Sequence, residues 1–311
     1  MISDRLLQLY PGNFERTVVL RNFIEEACAR HIALGLADAT FEGRVCSESL
    51  NTHWQGVSEA IVGHELRAVG LPLTPSCNGP DFLIEQDGRR TWVEVMCPEP
   101  TGIPTQWLQP KMGEAGKVPH EAILLRWTAA IKEKSEKLLG NPKKKIRGYL
   151  SDGIVGEADS YVIAINGRLL RGPAFASVTG VSQWPYAVEA TLAVGPYAVK
   201  INRETLEQTG GGHTHRDRLP KPKGEAVPAD TFFDSRFQHI SAILAVDLDG
   251  SYVIGNVKPM EVVHNPGAKN PVAPGILPAF REYVAVEHDD VSYDLCRLEG
   301  RLARDEVGRH V

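Results

Sequence analysis

The stretch Gly79–Pro100, GPDFLIEQDGRRTWVEVMCPEP, holds two runs of apolar, β-branched and aromatic residues, 81–86 and 90–96, on either side of Asp87-Gly88. Asp-Gly between two such runs is a strong short-range signal for a two-residue β-hairpin, because both turn residues need positive φ. With Asp87 and Gly88 as the turn, Gln86 pairs with Arg89 and Glu85 with Arg90. Continued outward, the same register sets Asp81 opposite Glu94. Opposed residues of an antiparallel pair share a face, with Cβ atoms roughly 4.5–5.5 Å apart. Two carboxylates so placed repel each other. A divalent cation between them removes the repulsion, and hard carboxylate oxygens suit Mg²⁺ or Mn²⁺. The inference stands on register, since a slip of one residue sends the two acids to opposite faces. Along the second strand Trp92, Glu94 and Met96 share one face, and Val93 and Val95 the other. Glu94 sits between two valines in a run that reads as buried, where a carboxylate needs a partner.

Outward from the hairpin the hydrophobic period changes to that of helices. Residues 13–36 carry Val18, Phe23, Ala27 and Ile32 at helical spacing, with Asn13 as a cap and Gly35 near the end. Residues 51–70 predict a second helix, capped by Asn51 or Thr52 and stopped by Gly70. After a Pro/Gly-rich connection from Pro98 to Pro119, HEAILLRWTAAIKEKSEKLLG (120–140) is amphipathic and ends at Gly140. NPKKKIRGYL (141–150) reads as a basic turn, and YVIAIN (161–166) as a strand buried on both faces. In the second half, residues 197–202, 239–247 and 282–287 predict strands, residues 262–275 read as turns, and residues 208–228 as a mobile loop. The expected architecture is α/β: a mixed sheet flanked by helices, with N-terminal helices and additional C-terminal strands. It is organised as a single domain over 1–311, comprising a helical lead-in (1–50), a core (about 51–170) and a C-terminal α/β extension (about 171–311).

Composition sets the frame. With 311 residues, 42% of them hydrophobic and 23% charged, the chain can bury a large core. A formal net charge of −5 excludes a global polycation, so nucleic-acid binding requires a local basic patch. The five cysteines, Cys28, Cys46, Cys77, Cys97 and Cys296, are scattered with no CxxC pair, which favours free thiols in a reducing cytoplasm. No basic segment followed by a long apolar run opens the chain, and no stretch reaches the length of a membrane span. No membrane partner is therefore expected, and a homodimer stays open.

The Pro80-Asp81 step, the hairpin and the Val93-Glu94-Val95 strand resemble the PD-(D/E)xK nuclease superfamily, whose fold is restriction-endonuclease-like. The order helix, hairpin, helix, strand over 51–166 is similar to the core of that family. The chain departs from the pattern at Met96, where the family usually has lysine. The resemblance implies a divergent, Mg²⁺- or Mn²⁺-dependent nuclease acting on nucleic acid, DNA first. The alternative is an inactive module of the same fold that binds nucleic acid or protein. It also implies roles. Asp81, Glu94, Glu59 and the Val95 carbonyl would hold metal, and Lys134 on the following helix would replace the missing lysine. Arg126 would neutralise phosphate, and Lys137, Lys143, Lys144, Lys145 and Arg147 would contact the backbone. Lys134 shares a helix face with Arg126, Ala130 and Glu133, whereas Lys132 is rotated about 160° away.

Two other constellations compete. His213-x-His215-x-Asp217 has ligand types suited to a transition metal, but lies in a Gly/Pro-rich charged segment. Cys97, close to Glu94 in sequence, could serve as a nucleophile or, more simply, as a small buried side chain.

Overall fold

The structure, a computed structural model, describes residues 1–76, 78–111, 113, 116–172, 176–254, 258–289 and 292–307. The chain opens with helices α1 (Ile2–Leu9), α2 (Glu15–Ala33), α3 (Phe41–Val45) and α4 (Leu50–Ala68), then strands β1 (Leu73–Pro75), β2 (Phe82–Gln86) and β3 (Arg89–Met96). Helices α5 (Thr105–Leu108) and α6 (His120–Leu139) lead to β4 (Ser160–Asn166) and α7 (Tyr186–Thr191). Four strands follow: β5 (Val194–Ile201), β6 (Gln208–His215), β7 (Arg218–Leu219) and β8 (Val227–Pro228). The chain closes with β9 (Ala242–Val246), β10 (Met260–His264), β11 (Arg281–Asp289), β12 (Ser292–Glu299) and α8 (Arg301–Val307).

Eight strands form one mixed sheet in the order β1-β2-β3-β4-β9-β10-β11-β12. β3, β4 and β9 run parallel at its centre, and β2 and β10 flank them antiparallel. β4 and β9 expose no residue on either face, as expected for central parallel strands covered on both sides. One face, carrying Val93, Val95, Val162 and Leu244, packs against the N-terminal helices through Ile24, Val57 and Ile61. The opposite face, carrying Trp92, Tyr161, Ile163 and Ile243, packs against α6 and α7 through Leu124, Trp127, Ile131 and Val188. The protein is thus α/β, with helices on both faces of a large mixed sheet. Among the described residues no helix is long and apolar enough to cross a membrane.

The hairpin has the register read from the sequence: Gln86 faces Arg89, Glu85 faces Arg90, and pairing runs out to Phe82 opposite Val93. Asp87 and Gly88 both have positive φ, 51° and 71°, as a type I′ turn requires. One glycine brings a helix close to this hairpin, and another brings a loop onto the end of α6. A Cβ on Gly63 of α4 would stand 2.9 Å from Phe82 Cζ. One on Gly148 would come within 2.4 Å of the Gly140 amide nitrogen, so the residue-149 segment lies directly on the C-terminus of α6.

Several boundaries differ from the sequence reading. Helix α2 begins at Glu15 after Phe14 rather than at an Asn13 cap. Helix α4 is capped by Ser49, whose hydroxyl accepts the Thr52 N–H at 3.4 Å, not by Asn51 or Thr52. The 208–228 segment, expected as a mobile loop, contains β6, β7 and β8. β6 pairs with β5 as an outlying two-stranded ribbon. The run read as turns from residue 262 begins inside β10, and β9–β12 continue the central sheet itself. Cys28, Cys46, Cys97 and Cys296 are free thiols, and Cys77 lies outside the described residues.

Candidate active site

The site lies on the face of the sheet covered by α6. Because Trp92, Glu94 and Met96 alternate with Val93 and Val95, Glu94 points from β3 toward that helix and is 2% exposed. Helix α6 returns over β3 and presents Lys134 and Lys137, three residues apart on one face. Both ammonium groups donate to the same oxygen, Glu94 Oε1: Lys134 Nζ at 2.8 Å and Lys137 Nζ at 2.9 Å. Lys134 is buried, whereas the Lys137 side chain is 42% exposed, so the Lys134 contact is the one shielded from water.

Asp81 stands where β2 has not yet begun to pair. Its Oδ2 accepts the Val95 N–H at 2.6 Å, extending the hairpin ladder by one side-chain bond. Burial, with Glu94 and then Glu59 nearby, pushes the Asp81 carboxyl up to about 8, against the opposing pull of Lys134 and the Val95 N–H. For Lys137 burial works against the charged form, but the Glu94 carboxylate outweighs it and raises the ammonium pKa. Tyr149 and Tyr161 lie close enough to feel the Glu94 charge. Burial, reinforced by Glu94, raises both phenols above their ordinary value. The Tyr161 hydroxyl is buried and has no hydrogen-bond partner among the described residues.

Gln55 of α4 braces the end of β3 from the other side. Its Oε1 accepts the Cys97 N–H at 3.0 Å and its Nε2 donates to the Val95 carbonyl at 3.3 Å. The sequence reading passed over Gln55. The available signal was an amide one turn before Glu59 on a helix whose neighbouring positions are buried. It also passed over Tyr149 and Tyr161, which no local pattern connects to Glu94.

The other expected residues fall elsewhere. Glu59 is buried, but its carboxylate is engaged by His31 Nε2 at 3.2 Å and Arg44 Nη2 at 2.9 Å, within the N-terminal helical layer. It reaches Asp81 only through its charge. Arg126 is not at Glu94; it lines a cleft on another flank of α6. Lys144 pairs with Glu136 at 2.6 Å and Arg147 with Asp152, so within the basic turn only Lys143 and Lys145 have no ion pair among the described residues. His213 lies on β6, hydrogen-bonded to the Gly195 carbonyl at 2.9 Å and packed against Trp184 and Tyr197. Cys97 is buried, and burial pushes its thiol up to about 12, far from a neutral-pH nucleophile.

Asp81 and Glu94 suit a hard divalent cation by donor type, and burial together with the Glu94 charge raises the Asp81 carboxyl, a cost a cation would relieve. The Tyr161 hydroxyl, buried within reach of the Glu94 charge, is an unsatisfied polar group beside them. Glu59 does not join this donor set, and the Val95 carbonyl already accepts from Gln55. Among the described residues no group of three or more His, Cys, Asp or Glu side chains gathers around one point. A scan against models of known protein families, a search of curated proteins and a search of solved structures each found no match to this chain.

Proposed function

We propose that the protein is a divalent-metal-dependent nuclease that hydrolyses phosphodiester bonds of nucleic acid, DNA first. The supporting observation is the buried Lys134–Glu94 contact of 2.8 Å. It sets an ammonium from α6 beside the Asp81/Glu94 pair, on the face where Met96 leaves no cation of its own. In this reading Asp81 and Glu94 hold Mg²⁺ or Mn²⁺. Such an ion would supply Lewis-acid activation of water and stabilisation of charge on the phosphate.

The chain's own residues do the remainder. Glu94 holds Lys134 in place, and Lys134 orients the attacking water. The Val95 N–H fixes the Asp81 carboxyl, and Gln55 fixes the strand end that carries both. Water adds to phosphorus, the ester oxygen leaves with a proton, and the products are a phosphate monoester and an alcohol. Lys143 and Lys145 are the backbone contacts with charge to spare, and Lys137, Lys144 and Arg147 would have to leave their present partners to join them. A cytoplasmic location is part of the proposal and rests on cysteine usage.

A second reading has one observation in its favour. Two ammonium groups already neutralise Glu94 Oε1, so this carboxylate is electrostatically satisfied without a cation, as in a non-catalytic binding module of the same architecture. Calorimetric titration of Mn²⁺ into the full chain separates the two. The nuclease reading predicts one saturable site at pH 8.5, at least ~10-fold weaker at pH 6.5 because the cation must displace the Asp81 proton, and lost in Asp81→Asn. Equal binding by wild type and Asp81→Asn, or no saturable binding by wild type, would sink it.

A further inference from the structure

On a flank of α6 away from Glu94, a cleft of about 1070 Å³ opens between that helix and the 220–237 segment. It reaches the upper end of the volumes that small-molecule sites occupy. Five cations line it, Arg126, Lys132, Lys221, Lys223 and Arg236, against a single acid, Glu121. Arg236 is paired with Asp234, but the other four have no ion pair among the described residues. Arg126 is the best defined of them, because its Nε–H is buried without a hydrogen-bond partner among the described residues. The rest of the wall is mostly apolar, with Leu125, Ala129, Ile131, Val227 and Phe237 beside three prolines and three threonines.

Arg126 and three exposed lysines around one recess, against the single acid Glu121, make it locally positive in a chain of formal net charge −5, which favours an anion there. A bare inorganic anion would leave the apolar wall unused. The lining therefore asks for an organic phosphate that carries a flat apolar group. We propose that this cleft binds a nucleotide, its phosphates held by Arg126, Lys132, Lys221 and Lys223 and its base laid on the Leu125–Ala129–Phe237 wall. Arginine supplies a fixed, directional donor to phosphate, and the three lysines supply point charge. The inference is independent of any metal chemistry at Asp81 and Glu94. Lys132 lies on the α6 flank turned away from Lys134, so the two sites use different sides of one helix.

The test is calorimetric binding of ADP, inorganic diphosphate and decathymidylate to the full chain at low and moderate salt. ADP is expected to bind saturably and diphosphate at least ~10-fold more weakly, for want of a base. The Lys221→Gln/Lys223→Gln double variant, both residues exposed, is expected to weaken ADP ~10-fold or more, and Arg126→Gln likewise. Lys200→Gln, exposed on β5 and outside the cleft, is the control and leaves affinity unchanged. If decathymidylate displaces ADP and is weakened by the same variants, the nucleotides belong to a nucleic-acid strand. If ADP alone binds there, they are free. Failure of both ADP and decathymidylate to bind saturably, ADP binding no tighter than diphosphate, or indifference to the cleft variants overturns the proposal.

Discussion

Glu94→Ala is expected to destabilise the protein by about 3 kcal/mol, measured by urea unfolding at pH 7. Removing one partner of a buried ion pair leaves the other charge uncompensated, which typically costs about 3–5 kcal/mol. Here the stranded group is Lys134, buried beneath α6 with its ammonium on Glu94 Oε1. The cost falls near the low end of the range because Asp81 stands close enough to ionise and take over part of the pairing. Lys137 adds little, because its side chain is 42% exposed and reaches water. Glu94→Gln, which keeps an acceptor for Lys134, should lose distinctly less. A loss below about 1 kcal/mol for Glu94→Ala would show that Lys134 finds water or another partner, and that the contact is not the buried one described here.

Without added divalent cation, stability is expected to fall as pH rises from about 4 to about 8, and Asp81→Asn is expected to remove most of that fall. The Asp81 carboxyl has an ordinary value of 3.8 and is raised to about 8 in the folded chain, first by burial and then by Glu94. Between these values the folded state keeps a proton that the unfolded state has released. The contribution is therefore fully present below about pH 4 and lost as pH climbs through about 8. Its limiting slope is about 1.4 kcal/mol per pH unit, an upper bound because Asp81 is partly solvent-exposed and shares its titration with Glu94. Asparagine keeps the oxygen that accepts the Val95 N–H but cannot ionise, so the variant should be more stable than wild type at pH 8. Urea unfolding of both proteins from pH 5 to 9 in EDTA checks this, and equal slopes would remove Asp81 from the account.

The hairpin was legible because two independent signals agree there. The Asp87-Gly88 turn demands positive φ, and the alternation of Trp92, Glu94 and Met96 with Val93 and Val95 sets the faces. Lys134 was legible for a similar reason, since helical spacing alone separates it from Lys132. What a one-dimensional reading could not carry is partnership across long separations. Glu59 reads as a free acid near the hairpin until His31 and Arg44, 28 and 15 positions earlier, close on it. Lys144 and Arg147 read as a basic patch until Glu136 and Asp152 pair with them. β12 is half polar in sequence and owes its state to its sheet neighbour, a tertiary effect that outweighs local propensity. Gln55 is visible only once α4 lies beside the end of β3.

The central claim is that Asp81, Glu94 and Lys134 form a metal-dependent hydrolytic site, and cleavage of nucleic acid tests it most directly. Supercoiled plasmid and an end-labelled oligonucleotide are incubated with wild type, Asp81→Asn and Lys134→Met, with Mg²⁺, with Mn²⁺ and with EDTA. The expected result is cleavage by wild type that needs the cation, stops in EDTA, and falls at least ~100-fold in either variant, the scale typical of losing a positioned acid–base or metal-holding group. No cleavage by wild type with either cation, or metal-dependent cleavage that survives both substitutions, would contradict it.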